Sequence, residues 1–155
     1  AERNEDINIV IDAGGLYYMK EFGCPSNAII TPHPGEAAML LDCSVEELQK
    51  NRLEAAKELY KKYNCLIILK GYQTIVFDGE AYQCTDGGPA LSTAGTGDVL
   101  AGLIGSFLAQ GLSKLDAARF SVAIHGAAGD RFSRNKRIRG LTATKLIKII
   151  NEEML

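Results

Sequence analysis

Five consecutive apolar residues, Cys65-Leu-Ile-Ile-Leu69, constrain the fold more than any other stretch of this chain. The run has the length of a strand and no polar–apolar alternation, the pattern of a strand covered on both faces. Such a strand needs a layer on each side, and helical segments between further strands can supply both. Ile7-Asn-Ile-Val-Ile11 reads as a short buried strand ending at Asp12, Leu16 to Phe22 as a short helix, and Ala28-Ile-Ile30 as another strand. Pro32 and Pro34 then break the chain. Ser44-Val-Glu-Glu47 has capping-box spacing, so one helix is expected from Val45 to about Tyr63. Leu48, Leu53, Ala56, Leu59 and Tyr60 fall on one of its faces.

Beyond the central run, Thr74 to Phe77 and Ala81 to Thr85 flank Asp78-Gly-Glu80 and predict a hairpin. A glycine-rich loop from Asp86 to Gly97 leads into Val99 to Gln110, which is apolar nearly all round and predicts a buried helix ended by Gly111. Lys114 to Arg131 and Thr142 to Met154 complete the helices. Strands alternating with helices predict an α/β three-layer sandwich with a mainly parallel sheet, and 155 residues are one domain's worth.

A formal net charge of −2 and a pI near 5.7 argue against a nucleic-acid partner, which favours a basic face. The one dense basic run, Arg131 to Arg139, reads as a solvated loop. Cys24, Cys43, Cys65 and Cys84 lie about twenty residues apart with no C-x-x-C pair, which fits reduced, partly buried thiols. No apolar run reaches the roughly 18 residues of a membrane span, so no membrane partner and a cytoplasmic location are expected.

Three motifs carry candidate chemistry. In Ser92-Thr-Ala-Gly-Thr-Gly-Asp-Val99, small residues let the backbone approach an anion, and the following helix offers unpaired N–H groups. The backbone of Ala94, Gly95, Thr96 and Gly97 is the candidate anion hole, and Asp98 at its mouth can accept a proton from a hydroxyl. A plain helix cap at Asp98 fits the same residues. The loop is neither a Walker A sequence nor a dinucleotide fingerprint, since no G-K-S/T and no third spaced glycine follow.

Thr31-Pro-His-Pro-Gly-Glu36 follows a strand and holds His33 between two prolines. Glu36 begins a helix within reach of a metal-bound water or a phosphate, although a rigid turn with a favourable first-turn charge explains it equally. Leu69-Lys-Gly-Tyr-Gln-Thr74 ends the central strand. Lys70 and His33 thus share the carboxyl ends of strands, where ligands gather in open α/β sheets. A solvated turn lysine is the alternative. His125, in Ala123-Ile-His-Gly-Ala-Ala-Gly-Asp130, reads as a packing histidine in a closely packed helix.

Taken in order, T-P-H-P-G-E, L-K-G-x-x-T, T-A-G-T-G-D-V-L-A-G and H-G-A-A-G-D resemble the ADP/ATP-dependent NAD(P)H-hydrate dehydratases of the ribokinase-like superfamily. The likeness continues through Arg139-Gly-Leu-Thr-Ala-Thr144. It implies a ribokinase-like fold, ADP or ATP and Mg²⁺ as cofactors, hydrated NADH or NADPH as substrate, and a homo-oligomer. It also implies roles: Asp98 as base and substrate contact, His33 as substrate contact, and Lys70, Gly71, Tyr72, Gln73, Thr74 and Gly97 around the nucleotide. Glu36 matches the acid of the superfamily's N-x-x-E pattern, a water-mediated Mg²⁺ ligand. Three departures stand out. Asp12-Ala-Gly-Gly-Leu16 has Gly14 where the family's D-A-D-A/G-L carries an acid, the last helix lacks an acid near Lys145, and the resemblance implies a single domain, 1–155, expected to be N-terminally incomplete. Residues 1–155 alone are therefore expected to show little dehydratase activity. Two other readings remain open: a kinase of a vitamin-precursor alcohol, which His33 disfavours, and a catalytically silent nucleotide-binding module.

Overall fold

In the computed structural model, residues 7–134 and 139–153 are described; the polar lead of residues 1–6, residues 135–138 of the basic run, and Met154 lie outside them. Strand β3 (Leu66–Leu69) occupies the middle of a five-stranded sheet and is wholly buried, as its unbroken apolar run requires. Its side chains alternate between two cores. Ile67 and Leu69 join Leu16 and Met19 of α1 (Gly14–Phe22), Ala37 and Leu40 of α2 (Pro34–Leu41), and Ala56 and Leu59 of α4 (Arg52–Tyr63). Leu66 and Ile68 join Leu100 and Ile104 of α5 (Thr96–Ala109) with Ala118 and Val122 of α6 (Lys114–Ser133). Helices therefore cover both faces, and the three-layer arrangement follows. Burying each of these aliphatic side chains contributes about 1.5–3 kcal/mol.

The sheet is mixed. Strands β1 (Ile9–Ile11), β2 (Ala28–Ile30) and β3 run parallel, and β4 (Ile75–Phe77) and β5 (Ala81–Gln83) form the expected antiparallel hairpin at the other edge. A 3-10 turn (Pro89–Leu91) precedes α5, and α7 (Ala143–Glu153) packs with α6 and the turn around Leu141 and Leu146. Among the described residues, no helix is long and apolar enough to cross a membrane, and all four cysteines are free thiols.

Three local expectations are corrected. The helix expected from Val45 to Tyr63 is two helices, α3 (Val45–Lys50) and α4, because Asn51 leaves helical geometry and its side chain accepts the Glu54 N–H at 3.2 Å. Strand β1 is an edge strand with Ile9 exposed, not a buried one. Helix α5 starts at Thr96 rather than Val99 and buries one stripe only, because Gly102 and Gly105 face open space.

Candidate functional site

The carboxyl ends of β1, β2 and β3 deliver Asp12, His33 and Lys70 to one rim of the sheet, and the start of α5 faces them. A cleft of about 540 Å³ opens there, a volume suited to a small ligand. His33, Lys70, Gly71, Tyr72, Thr74, Thr96 and Gly97 line it. Five other candidates lie outside its wall. Glu36 is buried beneath His33, Gln73 accepts a hydrogen bond from Gln83 Nε2 across the hairpin (2.8 Å), and Ala94, Gly95 and Asp98 flank the lining residues Thr96 and Gly97, with Ala94 and Asp98 exposed.

Two helices begin at this cleft. At α2, His33 Nδ1 accepts the N–H groups of Gly35 (3.0 Å) and Glu36 (3.2 Å), while Glu36 Oε2 accepts the His33 N–H at 2.8 Å. This reciprocal capping box fixes the imidazole tautomer: Nδ1 is the acceptor, so a neutral ring carries its proton on Nε2. At α5 the N-cap is Gly95 in the left-handed region (φ 85°), and no side chain caps the helix. Only Thr96 N–H, to Thr93 O at 3.3 Å, and Val99 N–H, to Gly95 O at 3.2 Å, turn inward. Among the described residues, the amides of Gly97 and Asp98 keep no partner. Asp98 is exposed on the first turn and makes no capping bond, so the plain-cap reading of this residue does not hold.

The loop before α5 is stitched to α6 by the H-G-A-A-G-D segment. His125 Nε2–H donates to Thr96 O at 2.9 Å, and Thr96 Oγ1 contacts Leu91 O (2.6 Å) and Thr93 O (2.8 Å). Gly126 lets the loop approach closely, since a Cβ there would stand 2.8 Å from Asp86 O. Asp130 Oδ2 accepts the Gly87 N–H at 3.0 Å. Burial pushes the His125 pKa below the ordinary imidazole value, and the Thr96 carbonyl only partly opposes it. His125 is thus a neutral packing histidine that also shapes the loop.

Two residues at this rim escaped the sequence reading. Arg52, the first residue of α4, donates to the carbonyls of Leu69 and Lys70 at 3.0 Å and to that of Tyr72, tying down the turn that carries Lys70. Nothing in its local sequence signals that role. Asp12 ion-pairs with Lys70. The strand-end argument that selected His33 and Lys70 would have found it.

The residues present do not fit a cation held directly by this chain. Among the described residues, no cluster of three or more metal-ligating side chains occurs, and the Glu36 carboxylate is committed to the α2 cap with Lys70 Nζ 4.0 Å away. The open amides and the ammonium fit phosphate oxygens instead.

This architecture, with a glycine loop opening a helix at the strand ends, is the ribokinase-like fold. A ribokinase-like superfamily protein from Enterococcus faecalis superposes with a TM-score of 0.85 at 27% identity, covering 98% of this chain and 54% of that chain. Phosphofructokinase-2 from Escherichia coli, at 20% identity and a TM-score of 0.62 over 96% of this chain and 48% of its own, shares the fold alone. The NAD(P)H-hydrate dehydratase family profile matches residues 1–152, and the chain belongs to that family. The bifunctional NAD(P)H-hydrate repair enzyme of Vibrio cholerae is 40% identical over 145 residues, 92% of this chain and 29% of that protein. The ADP-dependent (S)-NAD(P)H-hydrate dehydratase of Neisseria meningitidis is 44% identical over 110 residues, 70% of this chain and 37% of its own. The ADP/ATP-dependent NAD(P)H-hydrate dehydratase of Bacillus subtilis, crystallised with ATP/Mg²⁺, superposes with a TM-score of 0.87 at 34% identity. That match covers 95% of this chain and 54% of the Bacillus chain. The chain thus spans about a third of these two curated relatives and about half of the crystallised ones.

Proposed function

We propose that this chain contributes the nucleotide site and the catalytic loop to the ADP- or ATP-dependent conversion of hydrated NADH or NADPH back to the dihydronicotinamide. The observation that carries this reading is the uncapped amino end of α5, with open amides at Gly97 and Asp98 beside the Lys70 ammonium. Backbone amides and a helix dipole aimed at one point stabilise the charge of a phosphoryl group in transfer. Asp98, uncommitted to the helix, accepts the proton of the hydrate hydroxyl as its oxygen attacks the terminal phosphorus of the nucleotide and the bond to the departing AMP (from ADP) or ADP (from ATP) breaks. His33, whose Nε2 stands 3.4 Å from Glu36 Oε1, contacts the hydrated nicotinamide nucleotide. Lys70, Gly71, Tyr72, Thr74 and Gly97 flank the nucleotide phosphates, with Gln73 bracing the turn from the hairpin side. Mg²⁺ would supply charge neutralisation on the nucleotide phosphates.

The second half of the reaction needs little from the protein. Once phosphorylated, the hydroxyl on the carbon beside the enamine-type ring nitrogen is a good leaving group, which the nitrogen lone pair expels as free phosphate; the iminium so formed loses the proton of its neighbouring ring carbon to water, and the ring double bond returns. An ordinary alcohol lacks that push and stays a phosphate ester. The test supplies the intact enzyme that contains this chain with ADP or ATP, Mg²⁺ and hydrated NADH, and follows near-ultraviolet absorbance and free phosphate together. A one-to-one rise in both is expected. No rise in either, with a thiazole or pyrimidine alcohol accumulating as its phosphate ester, establishes the kinase instead. Nucleotide binding without turnover of any substrate establishes the silent module.

A further inference from the structure

Asp12 takes no part in the proposed phosphoryl transfer, yet it stands where three segments of the chain meet. Its Oδ1 accepts a hydrogen bond from Lys70 Nζ at 2.7 Å, with only 14% of the Asp12 side chain and 18% of the Lys70 side chain exposed. A Cβ on Gly97 would lie 3.3 Å from Lys70 Nζ and 3.8 Å from Asp12 Oδ2. The ion pair therefore rests against the turn of α5 whose amides are open. A lysine ammonium on its four-carbon stem has no direction of its own, so something must aim it. Glu36 is poorly placed to do so, since it is 4.0 Å from the ammonium and already caps α2. Burial alone would raise the Asp12 pKa, but Lys70, Thr31 and the Ala13 amide outweigh it and hold the carboxyl below its usual value. Asp12 is thus an anion facing a cation at the edge of a phosphate site.

We propose that Asp12 is the positioning residue for Lys70: it fixes the ammonium against the amino end of α5, so that the phosphate chain of an adenine nucleotide meets an aimed cation beside the open amides. This proposal rests on the nucleotide-binding reading. Asp12 touches no substrate and acts only through Lys70. Its removal and the removal of Lys70 are therefore one lesion, not two.

The experiment is a calorimetric titration of the 155-residue chain with ADP and with ATP, across the wild type, Asp12→Asn, Asp12→Glu, Lys70→Met and the Asn/Met double variant. Asp12→Asn and Lys70→Met should each weaken nucleotide binding by about tenfold, the usual scale for a charge-assisted contact. The double variant should bind no more weakly than Lys70→Met alone, since contacting partners do not add. Asp12→Glu should recover binding to within about threefold of the wild type, because a carboxylate on a longer stem still reaches the ammonium. A merely structural role would lower thermal stability without this pattern. Tighter or unchanged binding by Asp12→Asn, or penalties that multiply in the double variant, overturns the proposal. A wild type that binds neither nucleotide overturns the nucleotide reading itself and the proposal with it. Should Asp12→Asn fail to fold, ¹⁵N-lysine spectra of the wild type decide. A distinct, slowly exchanging Lys70 ammonium signal that shifts with ADP is expected, and a signal matching the exposed lysines overturns the assignment.

Discussion

Helices α2 and α5 both point their amino ends at the same cleft, and they treat those ends in opposite ways. The first closes itself: His33 and Glu36 satisfy its amides and each other within four residues. The second has glycine at the N-cap and an acid on the first turn that declines to cap. A helix end left open costs stability of the order a cap provides, about 0.5–2 kcal/mol. The fold accepts that cost at α5 and avoids it at α2. On the proposed function, the difference separates a structural start from one kept free for an anion: Asp98 makes no capping bond, while Glu36 is occupied.

The largest expected effect tests the open end. In the intact enzyme that contains this chain, Asp98→Asn should lower phosphate release from the nucleotide in the presence of hydrate by about 10²–10⁴-fold, with nucleotide affinity changing far less. Loss of under threefold would make Asp98 a bystander and erase the contrast with Glu36. Next is the stitching behind that end. His125→Ala removes the donor to Thr96 O and should destabilise the chain by about 1–3 kcal/mol in a denaturant titration, weakening nucleotide binding as the loop loosens. Unaltered nucleotide affinity in a folded variant would show that the loop needs no tether.

The closed end should respond in the reverse sense. His33→Ala deletes the α2 cap and should cost about 0.5–2 kcal/mol in the same titration while leaving nucleotide affinity nearly intact. Equal losses in both measurements would merge the two helix starts into one site. The smallest effect is a pH slope. Because the folded His125 pKa is lowered, the unfolded chain binds its proton first as pH falls. The stabilising contribution is complete above about pH 6.5 and is lost below it, by at most about 1.4 kcal/mol per pH unit. The stability gap between wild type and His125→Gln should therefore narrow from pH 7.5 towards pH 5. A constant gap would mean that His125 titrates normally in the fold.

Much of this contrast was written in the residues. All five strands, the last two as a hairpin, followed from apolar runs and turn residues, although β1 is less buried than expected, and the glycine loop announced an open helix start. The α2 cap was visible only as spacing, since P-H-P-G-E does not say which atoms close on which. Asn51 was missed because an apolar face runs through the α3–α4 junction unbroken, so periodicity masked a second N-cap. Helix α5 misled for a related reason: glycines raise no polarity signal, yet they bury nothing. The Arg52 contacts and the pairing of Asp12 with Lys70 belong to the part that only folding reveals, since each joins positions between 17 and 58 residues apart, although the strand-end argument marks Asp12 itself.

One consequence of the tethered loop concerns what a ligand finds on arrival. Thr93, Thr96, His125 and Asp130 hold the segment from Gly87 to Thr96 at several points before anything binds. Ordering a loose backbone costs about 1–2 kcal/mol per residue, and a flexible cradle would subtract that from every phosphate it captured. Here the entropy was surrendered during folding, so the cavity is preorganised and nearly all of the electrostatic attraction remains available for association.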